Sequence, residues 1–191
     1  MNIISHNCVG ARIYQMKGIK YENPFMWCVI PPEDFIYLYN NYNNINYENI
    51  VLKKENDCYK IIVDNKVNLY YVHYRYDESC EEPIIREDTD VFYSKIEDYI
   101  VEKYFVRLKR MEKEPLFIVT DRIFVSYPQF SFKDEDLLKF LNKDNCIIVT
   151  CNKEIVGKNV IYCDNKNMDT MEIASLVINS KIYENVLNRR S

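Results

Sequence analysis

Two runs of the chain, LFIVT at 116–120 and CIIVT at 146–150, are apolar at every position except the last. A strand with one face in water alternates apolar and polar residues, whereas a strand covered on both faces need not. Such runs require a layer above and a layer below, and the helical patterns elsewhere in the chain supply them. Shorter runs at residues 1–5 and in VIYC extend the series. Apolar runs alternating with helices predict a three-layer α/β/α sandwich around a mostly parallel, Rossmann-like sheet.

The helical patterns are specific. After residues 1–5, VGARIYQMK sets Val9, Ile13 and Met16 at helical spacing, and Gly18 is a suitable stop. PPEDFIYLYNNY offers prolines for a first turn and places Phe35, Leu38 and Tyr39 on one face. Across residues 90–113, Phe92, Ile96, Tyr99, Ile100, Tyr104 and Leu108 recur at helical spacing, with acids early and bases late as the helix dipole favours. FKDEDLLKFL reads as a further helix, and residues 169–187 as one final helix. The β-branched and aromatic segments ENIVLKK, CYKIIVD and VNLYYVHY, parted by Asn56-Asp57 and Asn65-Lys66, predict an antiparallel β insertion around residues 48–76. With 191 residues and no linker-like tract, the expectation is a single α/β domain over residues 1–191.

Composition removes several function classes. The chain has 3 glycines and neither GxGxxG nor GxxxxGK[ST], which argues against phosphate-cradling loops. A formal charge of -4 gives no general attraction for nucleic acid. The 7 cysteines are odd in number and lack CxxC or zinc-finger spacing, so they read as free thiols of a reducing cytoplasm, and no metal ligands are assigned. No apolar run nears the roughly 20 residues of a membrane helix, so no membrane insertion is expected. No leader-like segment is visible either. The sequence specifies no cofactor, and the expected partner is a small-molecule, peptide or glycan substrate.

In an open parallel sheet, ligands bind beyond the carboxyl ends of the strands. Ser5-His6-Asn7-Cys8 lies there after the first strand, and Cys8 begins a helix, where the dipole favours a thiolate. Cys8 therefore reads either as a nucleophile or as a small buried apolar residue. The chain has 2 histidines, so a Cys–His scheme must use one of them. His73, ending an aromatic strand, is the candidate general base; His6 is a support for the turn or a substitute for His73. Asn7 is a helix cap or a third catalytic group, and the N–H groups near Val9 and Gly10 are candidate oxyanion donors. His6, Gly10, Arg12, the single tryptophan Trp27, and Asp121 after LFIVT are candidate substrate contacts. Asp88-Thr89-Asp90 has the DxD form that can hold a divalent cation and a sugar diphosphate, and Asp90 equally reads as a helix cap.

The stretch NCVGARIYQMKGIKYENPFMW, followed by PPEDFI and VHY, resembles a bacterial family of uncharacterised proteins named for exopolysaccharide biosynthesis. The order Asn-Cys, Pro-Phe-x-Trp, strand-end His and basic helix also resembles a related family labelled papain-like cysteine peptidases. The resemblance spans about the first 120 residues and is most specific between Asn7 and Trp27. It implies Cys8 as nucleophile and His73 as base in the peptidase-like case. In the polysaccharide case it implies a transferase-like protein acting on a glycan or a nucleotide-sugar. A third reading is a non-catalytic α/β binding protein. Met26 departs from the peptidase-like pattern, which has Asp there, and a parallel sheet departs from the papain fold.

Overall fold

The computed structural model describes residues 2–55, 58–75, 96–121, 128–165 and 167–189. In chain order the elements begin with β1 (Ile3–Ser5), α1 (Val9–Lys17), α2 (Pro32–Asn41), β2 (Ile50–Glu55), β3 (Cys58–Val63) and β4 (Val67–Arg75). They continue with α3 (Ile96–Leu108), β5 (Leu116–Thr120), α4 (Asp134–Leu137), β6 (Cys146–Thr150), β7 (Val160–Tyr162), α5 (Thr170–Ile178) and α6 (Lys181–Asn188). β1, β5, β6 and β7 form a parallel sheet in that order, and β2, β3 and β4 form a separate antiparallel sheet.

The two runs that anchor the sequence reading are buried at all positions. Their side chains alternate between two cores, as the two-residue period of a strand dictates. Ile3, Leu116, Ile118, Ile147 and Val149 pack with α1, α5 and α6 through Ile13, Tyr14, Ala174, Val177 and Tyr183. Ile4, Phe117, Val119, Cys146 and Ile148 pack on the other face with Phe35 and Leu38 of α2 and Tyr104 of α3. Ile61, Val63, Val67 and Leu69 of the antiparallel sheet belong to that second core. The insertion is thus part of the third layer, and the fold is a mixed α/β sandwich.

The strand order also explains which layer each connection joins. The strands run steadily in chain order, so crossovers of uniform hand fall on one face. Accordingly α3, Leu137 and Phe140 between β5 and β6, and Ile155 between β6 and β7, all lie in the same core. The opposite face is closed by α1, which leaves β1 before the chain passes over to α2, the antiparallel sheet and α3, and by α5 and α6 after the last strand.

Three local expectations need correction. The expected final helix is two helices, because Ser180 caps a new start by accepting from Tyr183 N–H at 3.1 Å. FKDEDLLKFL keeps one α turn and then tightens into a 3-10 turn at Leu138–Phe140. Met16 does not join the buried face of α1; it is 44% exposed, and Gly10 and Tyr14 are buried instead. The amino-terminal part of the expected 90–113 helix lies outside the described residues.

Phe35 sets the centre of the second core. It is fully buried, with its ring 5.7 Å from Phe117, 5.9 Å from Phe132 and 5.9 Å from Phe140. These packings, edge-on to Phe117 and Phe132 and tilted to Phe140, join α2 to the sheet and to the segment before β6. Phe35→Ala should destabilise the protein by about 3–5 kcal/mol, read as a lower urea midpoint with an unchanged slope.

Candidate functional site

β1 ends at Ser5, and the next three residues, His6, Asn7 and Cys8, turn the chain into α1. The turn is held by its own side chains. Ser5 Oγ donates to the Asn7 carbonyl and accepts from Gly10 N–H at 2.8 Å. Asn7 Oδ1 accepts from Val9 N–H at 3.0 Å. The Cys8 carbonyl takes the first helical bond, from Arg12 N–H at 3.0 Å. Gly10 is the close-approach position, since a Cβ there would come 2.9 Å from Ser5 Oγ. Val9 and Gly10 N–H are therefore engaged within the turn rather than open to an oxyanion.

The Asn7 amide also fixes a tautomer. Because its oxygen accepts from a backbone N–H, its nitrogen is the end that reaches His6 Nε2 and Thr120 Oγ1, each at 3.3 Å. An amide nitrogen only donates, so His6 Nε2 accepts and the proton of a neutral ring is on Nδ1. The His6 ring is fully buried, 4.5 Å from Phe132, and its carbonyl accepts from Ile30 N–H at 2.9 Å. His6 thus supports the turn.

Cys8 sits at the amino-terminal boundary of α1 with φ -73° and ψ 0°, in the bridge region of backbone space. No acidic residue of the first turn offsets the positive end of the helix dipole. Cys8 retains 8% exposure, whereas Cys28 and Cys146 have none. Burial, followed by the nearby Cys8 sulfur, pushes the Cys28 thiol far above its ordinary range, with Arg107 opposing. Cys28 S–H instead donates to the Phe25 carbonyl at 3.3 Å.

Around this turn, Arg12 lies 4.8 Å over the Trp27 ring and donates to Gln15 Oε1 at 2.9 Å. Trp27 is half-buried and has a left-handed backbone, φ 62°, a conformation that nonglycine residues seldom adopt. Val29 pairs antiparallel with Tyr70 through bonds of 2.8 and 2.9 Å, joining the segment after Cys28 to β4. His73 is three residues beyond Tyr70, where the β3–β4 register is broken between Cys58 and Tyr59. Its backbone is described; its side chain is outside the described residues, as are Cys80, Asp88 and Asp90 in full.

The other strand ends continue the polar edge. Asp121 Oδ2 accepts from Thr150 Oγ1 and from Cys151 N–H, both at 2.8 Å, and so clasps β5 to β6. Ser5, Thr120 and Thr150 each end a parallel strand with a hydroxyl. Sequence reasoning singled out Asp121 and the Ser5–Cys8 turn but missed Thr120 and Thr150, although the shared ending of IIS, LFIVT and CIIVT is visible in the sequence. Among the described residues, no group of three His, Cys, Asp or Glu side chains converges as metal ligands would. Nor is any helix there long and apolar enough to cross a membrane. A hollow of about 390 Å³ beside Ile155, Val156 and Tyr162, and one of about 330 Å³ beside Tyr39 and Asn145, do not include Cys8.

Residues 1–87 match the family model of a domain of unknown function, DUF1919. The DUF1919 match takes in the Ser5–Gly10 turn, Arg12, Trp27 and His73, and stops before β5, β6 and β7. No curated protein matches the chain. The turn and the antiparallel sheet therefore fall inside the matched region, while Thr120 and Asp121 are outside it.

The Asn7 side chain joins His6 and Val9 of the turn to Thr120 at the end of β5, and losing it leaves Val9 N–H without its acceptor. Asn7→Ala should lower stability by about 2 kcal/mol, read from chemical denaturation. A change below about 0.5 kcal/mol would contradict this role for Asn7.

Proposed function

We propose that this protein is a cysteine-dependent hydrolase or acyl transferase with Cys8 as nucleophile and His73 as general base. The observation that carries the proposal is the position of Cys8 at the carboxyl edge of the parallel sheet and the start of α1. The dipole there favours the thiolate over the thiol. The antiparallel pairing of Val29 with Tyr70 supports His73, because β4 runs from that pairing toward His73. His6 is less suited to the base role, since its Nε2 already accepts from Asn7.

In this scheme the Cys8 thiolate adds to a substrate carbonyl and His73 delivers a proton to the departing alcohol or amine. The thioester so formed passes its acyl group to water or to an acceptor hydroxyl, whose proton returns to His73. With Val9 and Gly10 N–H engaged, the oxyanion requires other donors. Trp27 with Arg12 over its face offers a wall on which a flat or sugar ring can stack. A glycan or its precursor is the acceptor class suggested by the resemblance to proteins named for exopolysaccharide biosynthesis.

Iodoacetamide at neutral pH should alkylate Cys8 at least about tenfold faster than Cys28 or Cys146, as read by peptide mass spectrometry. His73→Gln should shift the pH profile of Cys8 labelling toward higher pH, because the thiolate loses its cationic partner. Labelling of Cys8 as slow as that of Cys28 would contradict the proposal.

A further inference from the structure

We propose that Cys151 and Cys163 form a cross-strand dithiol that closes reversibly to a disulfide when the protein meets a peroxide. The site is built by the parallel register of β6 and β7, which pairs Ile148 with Val160, Val149 with Ile161 and Thr150 with Tyr162. One further step pairs Cys151 with Cys163, and Cys163 N–H continues the ladder to the Thr150 carbonyl at 2.9 Å. Neighbouring strands are about 4.8 Å apart, inside the Cα range of about 4.4–6.8 Å that a disulfide spans. The two sulfurs are 3.1 Å apart as free thiols, so closure to a bond of about 2.05 Å requires only small side-chain adjustments.

The two cysteines differ in access. Cys151 is partly exposed, and its N–H is fixed on Asp121 Oδ2 at 2.8 Å; Cys163 is 8% exposed. Burial and the adjacent Cys151 sulfur push the Cys163 thiol up to about 12, so it remains an S–H beside the more accessible Cys151 sulfur. This division gives the order of events. The Cys151 thiolate takes one oxygen from hydrogen peroxide, yielding a sulfenic acid and hydroxide, which is protonated to water. Cys163 then attacks the Cys151 sulfur and expels a second water, losing its proton. Two thiols and one peroxide thus become one disulfide and two waters.

The bridge would tie the loops that follow β6 and β7, next to the Asp121 clasp, and it does not rest on any role for Cys8. The full-length chain treated with hydrogen peroxide should yield a Cys151–Cys163 linked peptide pair that dithiothreitol reverses, in the wild type and in Cys8→Ser alike. In Cys163→Ala, dimedone should trap the Cys151 sulfenic acid at least about tenfold more than in the wild type. Equal trapping in both proteins would overturn the proposal. So would a bridge from Cys8 to Cys28 or to Cys80 in place of Cys151–Cys163, or irreversible oxidation of Cys151 with Cys163 left as a thiol.

Discussion

The self-contained turn between β1 and α1 is the constraint on which the candidate site depends. Ser5 and Asn7 use their side chains to hold the amides of Gly10 and Val9, so the first helical turn is held by bonds local in the chain. Two long-range bonds then set the turn within the fold: Asn7 to Thr120 at the end of β5, and Ile30 N–H to the His6 carbonyl. Replacing any of these with an apolar group would leave a buried donor or acceptor without a partner, which is worse than never burying it. Gly10 completes the arrangement by letting α1 approach the strand.

The parallel sheet brings the remaining polar groups to the same edge. Its strands need only three to five residues each, because both faces are buried and each side chain contributes to one core or the other. The carboxyl ends carry hydroxyls, the Asp121 carboxylate and thiols. Asp121 binds β5 to β6, and Cys151 meets Cys163 between β6 and β7. The edge is therefore cross-linked by side chains from β1 to β7, a rigid base on which Cys8 is carried.

Much of this was legible in the sequence where the physics is local. LFIVT and CIIVT read as doubly covered strands because they alternate with helical patterns, and the position of Cys8 between a strand and a helix followed from the residues that flank it. The break at Ser180 was missed because Leu176, Val177, Ile178 and Ile182 continue the apolar pattern across it, although the serine that caps the second helix was in view. The contribution of the antiparallel sheet to the third layer was not legible, since it depends on packing between residues far apart in the chain, such as Ile61 against the parallel sheet's core. Likewise the engagement of Val9 and Gly10 N–H came from side chains that read simply as turn formers. The Cys151–Cys163 pair had a signal, a cysteine directly after each of two strands, but the parallel register was needed to make them neighbours.

The central claim is that the fixed turn presents Cys8 as the nucleophile of an acyl-transfer site. The most direct measurement is peptide mapping of the protein after brief exposure to an activated aryl ester. A single hydroxylamine-labile acyl group on Cys8, absent from Cys8→Ser and formed more slowly in His73→Gln, is the result the account predicts. Acylation that avoids Cys8, or that spreads evenly over the accessible thiols, would contradict it.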